Sequence, residues 1–242
     1  CIFFMTISAM NFALHFLALR SRSLKAYLSD PECITFLKIL AAVFIVTAAV
    51  LMLYSHYDSP MQSLRYAAFQ VVSVATTTGF GITDFSIWPS FLPFLLLYAT
   101  FIGACAGSTG GGMKVMRVML LYRQGQREIH RLLHPNGVFT IKLGKRKIPD
   151  RVIDSVWGFC VVYMVTFFTL MLALLACELD PITAVSALAS CMNNLGPALG
   201  DATAHYGDLP ATAHFILSLA MILGRLEVFS LLILLSPAFW RY

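Results

Sequence analysis

Long apolar runs alternate with short polar breaks along the whole of this chain. Residues 36–57 carry one charge, Lys38, near the start, and residues 91–113, 156–177 and 211–224 carry none. About 20 such residues let a helix cross a bilayer, so the pattern predicts an all-α integral membrane protein. An apolar run that lasts to Leu19 opens the chain and reads as the end of a helix that begins upstream, which makes the chain a fragment. Ser29-Asp30-Pro31-Glu32 reads as a capping box with proline in the first turn, starting a helix to about Tyr57. Asp58-Ser59-Pro60 then opens a shorter segment to about Ala75, followed by Thr76-Thr77-Thr78-Gly79-Phe80-Gly81. Such a segment is about 22 Å long, less than a hydrocarbon core of about 30 Å. An apolar stretch returns from Trp88 to about Tyr122.

The order then repeats. A span covers residues 156–177, Asp180-Pro181 starts a second short helix to about Met192, and Asn193-Asn194-Leu195-Gly196-Pro197 follows. A last span runs from Ala211 to about Leu235. Gly79 and Gly196 lie 117 residues apart, as do Gly107 and Gly224, which points to a duplicated unit. The predicted organisation is a partial helix and cytoplasmic turn (1–35), a span–half-helix–loop–span unit (36–122), a basic linker (123–154) with a small hairpin near residues 138–147, and a second unit (155–242). Asp58 and Asp180 read as caps of the short helices.

Composition agrees with a membrane protein: 59% of residues are hydrophobic and 12% charged, against about 45–50% and 25% in soluble domains. The placement of charge sets the orientation. All but Arg65 and Arg225 of the 17 Lys and Arg residues fall on alternate breaks, and the other breaks carry Asp58, Asp84, Glu178, Asp180, Asp201 and Asp208. Basic loops stay in the cytoplasm, so both units run outward and then back in. They are parallel, unlike the inverted repeats of secondary transporters with broken helices. Because the bases flank membrane spans, a nucleic-acid partner is not expected. The six cysteines lack metal or disulfide spacing, the six histidines are scattered, and no catalytic constellation or organic cofactor site is expected.

Lipid does not tolerate a loop with unpaired backbone groups, so a loop at membrane depth must line water or lie inside protein. The short helices end there with their negative dipole ends pointing inward. Carbonyls of the following loops can replace the hydration shell of a cation; the alternative is a re-entrant turn with structural glycines. Five glycines between Gly103 and Gly112 should break the returning span. A phosphate-binding loop does not fit, because Met113 stands between Gly112 and Lys114 and no Ser or Thr follows. Close helix packing is the other reading of these glycines. Arg225 and Glu227 lie in the last span, where charges face a cavity or a partner.

Thr76-Thr77-Thr78-Gly79-Phe80, Gly107-Ser108-Thr109-Gly110-Gly111-Gly112-Met113-Lys114 and Asn193-Asn194-Leu195-Gly196-Pro197 together resemble the Trk/Ktr/HKT potassium transporters, most nearly their bacterial TrkH-type branch, over the whole chain. The resemblance implies four such units around one pore, of which this chain carries the third and fourth, with the N-terminal pore units missing. It implies a potassium filter formed by Thr77, Thr78 and Gly79 in one quarter and Asn194, Leu195 and Gly196 in another. It also implies a gating loop holding Gly107, Gly110, Gly111 and Gly112, with Arg225 beside it. The expected setting is a multi-pass homodimer in lipid of the bacterial inner membrane, with a cytoplasmic nucleotide-binding regulatory subunit. The expected function is potassium uptake; the alternatives are a secondary cation transporter with broken helices and a non-conducting fragment. The orientation predicts that a cysteine replacing Gln126 in the full-length protein reacts with membrane-impermeant reagents only from the cytoplasmic side. Labelling of intact cells from outside would reverse the topology.

Overall fold

The computed structural model describes residues 1–135, 137, 139–144, 146–226 and 239–241. It is helical except for one small antiparallel ladder, β1 (Lys142–Leu143) with β2 (Arg146–Lys147), where the linker was expected to form a hairpin. Among the described residues, two helices are long and apolar enough to cross a membrane: α4 (Pro31–Leu53), of 23 residues, and α8 (Asp150–Leu175), of 26. Each is followed by a half-helix, α5 (Pro60–Ala75) after α4 and α9 (Pro181–Met192) after α8. At 16 and 12 residues, these reach only about 24 and 18 Å. Each half-helix leads through a loop into a returning segment. The first is α6 (Phe91–Ile102), a glycine-rich loop and α7 (Val115–Leu133); the second is α10 (Ala211–Arg225).

Each half-helix is the centre of its own core. Ala67, Val71 and Val74 of α5 pack with Phe36, Leu40 and Leu51 of α4 and Leu92 and Leu96 of α6. Ala184, Ala187, Leu188 and Cys191 of α9 pack with Phe159, Tyr163 and Phe167 of α8 and Ala213, Leu217 and Ala220 of α10. The small residues of α9 let its neighbours approach closely, as association between helices in lipid requires. The outward faces stay apolar, as at Ile45, Leu53, Val165, Leu172 and Phe215. That is the surface a lipid or a further membrane helix would meet.

Several expectations need correction. α4 is capped by Asp30, whose Oδ2 accepts from the Cys33 amide at 2.8 Å; Ser29 ends a separate short helix, α3 (Lys25–Ser29). The reason is Pro31, which forces the residue before it out of helical geometry; Asp30 is extended, with φ −87° and ψ 118°, and so becomes the boundary. α4 stops at Leu53, where Ser55 turns left-handed. The opening run is two helices, α1 (Ile2–Ser8) and α2 (Phe12–Ser21), bent by 102°, with Asn11 capping the second through the Ala13 amide. The expected linker is helical up to Leu133, because α7 turns Leu120, Gln124 and Arg127 inward, and Arg127 pairs with Asp150 at the start of α8. α8 therefore begins six residues ahead of the expected span. Asp180 caps α9 through the Ile182 and Thr183 amides, whereas α5 has Ser59 at its N-cap and no side-chain cap bond, so Asp58 does not serve there. Glu227 and the rest of the last span up to residue 238 lie outside the described residues.

Asp30→Ala in the full-length protein should cost about 0.5–2 kcal/mol of stability, read as a lower thermal midpoint in detergent. Ser29→Ala should leave the midpoint close to the parent's; the reverse order would restore Ser29 as the cap.

Candidate functional site

The loops after the two half-helices share one backbone path, 117 residues apart. The Thr76 amide bonds to Val72 O and the Asn193 amide to Ala189 O; Thr77 bonds to Val74 O and Asn194 to Cys191 O; Thr78 bonds to Ser73 O and Leu195 to Ser190 O. Thr77 and Asn194 are left-handed, at φ 54° and 55°, and Gly79 and Gly196 have φ 83° and 112°. A left-handed threonine is uncommon, and it recurs as an asparagine in the second copy. The paths therefore match although only the glycine is common to both sequences.

Their supports differ. In the second loop Ser190 Oγ accepts from the Gly196 amide at 3.0 Å, and Tyr206 donates its hydroxyl to Gly196 O at 2.7 Å. Ser186 both accepts from the Leu199 amide and donates to Leu199 O. In the first loop the threonines brace one another, with Thr76 and Thr78 hydroxyls 2.8 Å apart. The loops meet where Gly79 lies against Leu195 O, so closely that a Cβ at Gly79 would overlap that oxygen; around Gly196 there is open space.

Below them the returning span breaks as expected, into the loop of residues 103–114. The segment is not a continuous helix, because Gly103, Gly107 and Gly112 have φ 69°, 70° and 77°, and Lys114 has a positive φ as well, at 75°; its glycines nonetheless allow close backbone approach. The loop folds back on itself: the Met113 amide bonds to Phe101 O and the Val115 amide to Ala104 O, both at 3.0 Å. Its outer limb reaches the bend between α1 and α2, where Cys105 bonds to Ala9 O at 2.9 Å and Phe12 to Gly107 O at 3.1 Å. Its tip lies directly beneath the half-helix ends. Thr77 Oγ1 accepts from the Gly111 amide at 2.6 Å, and a Cβ on Gly111 would overlap Asn193 O. Gly224 is pressed against Met192 O in the same way. Arg225 Nη1 donates to Thr109 O at 3.2 Å, and the Lys114 ammonium donates to Gly110 O. Gly107, Gly110, Gly111, Gly112, Arg225 and Asn194 thus come together around a cavity of about 230 Å³. Thr77 contacts the loop from above; Thr78, Gly79, Leu195 and Gly196 belong to the loops beyond that cavity.

Sequence reasoning passed over two residues here. Asn193 is fully buried and ties three helices together: it accepts from the Tyr163 hydroxyl at 2.9 Å and donates to Thr100 Oγ1 at 3.1 Å. Glu32, assigned to a capping box, instead has its Oε1 accepting from the Ala106 amide at 2.7 Å and the Met116 amide at 3.2 Å. A second acid beside Asp30, on a helix that needs one cap, was the available signal.

Half-helices ending in irregular loops inside a helical membrane protein define the class of pore and transporter proteins that carry polar cargo past lipid. The chain belongs to the TrkH family of cation transport proteins, whose family model matches residues 1–242. It is 51% identical over 241 residues to the Trk system potassium uptake protein TrkH of Halomonas elongata, matching 100% of this chain and 50% of that protein. With the TrkH of Escherichia coli it is 46% identical over 238 residues, covering 98% of this chain and 49% of the other. The crystal structure of the potassium transporter TrkH from Vibrio parahaemolyticus superposes with a TM-score of 0.94 at 49% identity, covering 99% of this chain and 52% of that one. The chain spans about half the length of these relatives.

Because backbone oxygens crowd Gly111 and Gly224, alanine at either should cost roughly 1–3 kcal/mol or more through overpacking. Gly125→Ala, in α7 with nothing near its would-be Cβ, should instead stabilise by up to about 1 kcal/mol. Thermal unfolding of the full-length variants checks both signs.

Proposed function

We propose that this chain supplies two adjacent quarters of a potassium-conducting pore, residues 36–122 forming one and residues 155–242 the other. The observation that carries the reading is the repeated backbone path at the end of each half-helix, with left-handed Thr77 and Asn194 and positive-φ Gly79 and Gly196. Positive φ lets a loop turn its carbonyls toward one axis, and the C-terminal dipole of each half-helix adds about half a negative charge. Thr77, Thr78 and Gly79, with Asn194, Leu195 and Gly196, are the filter residues. Their carbonyls replace water around the ion, and transport proceeds without covalent chemistry or an organic cofactor. Two unlike loops make the filter less strictly selective than identical ones. The names of the relatives, potassium uptake proteins, support potassium as the cargo.

The loop holding Gly107, Gly110, Gly111 and Gly112 is the gate. It lies across the path below the filter, and Arg225 both holds it through Thr109 O and sets a positive charge in the way of a cation. The complete protein adds two N-terminal pore units, forms a homodimer in the lipid of the bacterial inner membrane and docks a cytoplasmic nucleotide-binding subunit. The basic surface from Arg123 to Arg151 is the natural docking face.

Cation uptake by full-length variants in cells lacking other potassium systems tests the reading. Gly79→Ala combines backbone strain of about 1–2 kcal/mol with the overlap at Leu195 O, and should weaken the preference for potassium over sodium. Gly196→Ala meets strain alone and should weaken it less. Deleting residues 107–111 should raise flux with the preference largely kept, since the loop's flanks are already bonded to each other. Parent-like preference in Gly79→Ala would end the filter assignment, and a deletion that inserts normally but conducts no faster would end the gate.

A further inference from the structure

Glu32 is an acid that α4 does not need for its own start, since Asp30 already caps it and Pro31 fills the first position. Yet its side chain is almost fully buried, at 2% exposure. A carboxylate taken out of water is tolerated only when hydrogen-bonded or paired. Here one oxygen, Oε1, accepts two amides, from Ala106 at 2.7 Å and from Met116 at 3.2 Å. These amides bracket the part of the loop that carries Gly107, Gly110, Gly111 and Gly112. Ala106 is the last residue before it, and Met116 is one residue inside α7. A single side-chain atom therefore bridges the loop's two flanks, beside the backbone bond from the Val115 amide to Ala104 O.

We propose that Glu32 is the latch of the gating loop, a positioning residue that holds the obstructing arrangement and whose release lets the loop clear the path. The proposal rests on the gate reading above. Three features support it. The two amides share one acceptor, so a single side-chain rotation releases one amide on each flank together, which suits a two-state element better than a gradual one. Glu32 belongs to a long helix outside the loop, so the anchor stays in place when the loop moves. The side-chain ties from Thr77 and Arg225 hold the loop's tip, and those from Lys114 to Gly110 O and Arg117 to Met113 O each reach one limb, so Glu32 is the side chain that joins the two flanks.

Reach and charge can be separated by substitution. Glu32→Leu removes the acceptor. Glu32→Asp keeps the charge but falls one methylene short of the amides. Glu32→Gln keeps an oxygen at the Oε1 position without the charge. The test uses full-length protein in proteoliposomes, measuring potassium flux and the rate at which a Thr109→Cys reporter in the exposed tip reacts with an impermeant thiol reagent. Glu32→Leu and Glu32→Asp should raise both by about tenfold or more, the scale of losing a hydrogen bond to a charged acceptor, and Glu32→Gln should raise both by less. Should the leucine variant fail to insert, the aspartate and glutamine variants still decide. Parent-like flux and labelling in Glu32→Asp, with a rise in Glu32→Gln, would overturn the latch in favour of a charge pair. Parent-like behaviour of the leucine and aspartate variants beside a fast-conducting deletion of residues 107–111 would overturn the latch alone. A deletion that conducts no faster would overturn the gate and the latch with it.

Discussion

A bilayer offers no water to a loose amide, and each unpaired backbone group within it costs several kcal/mol. A chain that puts three irregular loops among its membrane helices must therefore find partners for them inside the protein, and most of the unusual contacts answer that need. The first turn of each half-helix loop is satisfied by the carbonyls of the half-helix itself. The glycine loop draws on more distant sources: its own two limbs, the bend between α1 and α2, the hydroxyl of Thr77 and the carboxylate of Glu32. Side chains that look misplaced in an apolar interior, such as the buried Ser190, Thr183 and Asn193, sit where amides, carbonyls and hydroxyls would otherwise go unpaired.

The two half-helix loops obey that constraint by different means. The second loop is held by side chains of its own unit, Ser190, Ser186, Thr183 and Tyr206. The first lacks an equivalent frame: Ser73, which corresponds to Ser190, has a buried hydroxyl without a hydrogen bond among the described residues. It leans instead on the glycine loop through Thr77 and Gly111 and on the second loop through Gly79 and Leu195. The glycine loop touches both units: the Gly111 amide donates to Thr77 Oγ1, Gly111 packs against Asn193 O, and Arg225 donates to Thr109 O.

Some features were legible in the residues alone because they follow from local rules. Span positions follow from run length against bilayer thickness, half-helices from Pro60 and Pro181 followed by too few apolar residues, and the repeat from the matched glycines. The break in the returning span was readable from five glycines in ten residues. Composition could not say whether the segment is a loop or a continuous helix packed through its glycines, because both want small residues; the positive φ of Gly103, Gly107 and Gly112 makes it a loop. Ser29 and Asp30 compete for one cap, and the extended residue that Pro31 demands settled the choice. The roles of Glu32 and Asn193 emerge only in three dimensions, since Ala106 and Thr100 lie 74 and 93 residues away from them. A sequence records which residues have hydrogen bonds to give, and local rules say where helices start and stop. Which distant backbone atom receives each bond is fixed only once the helices pack.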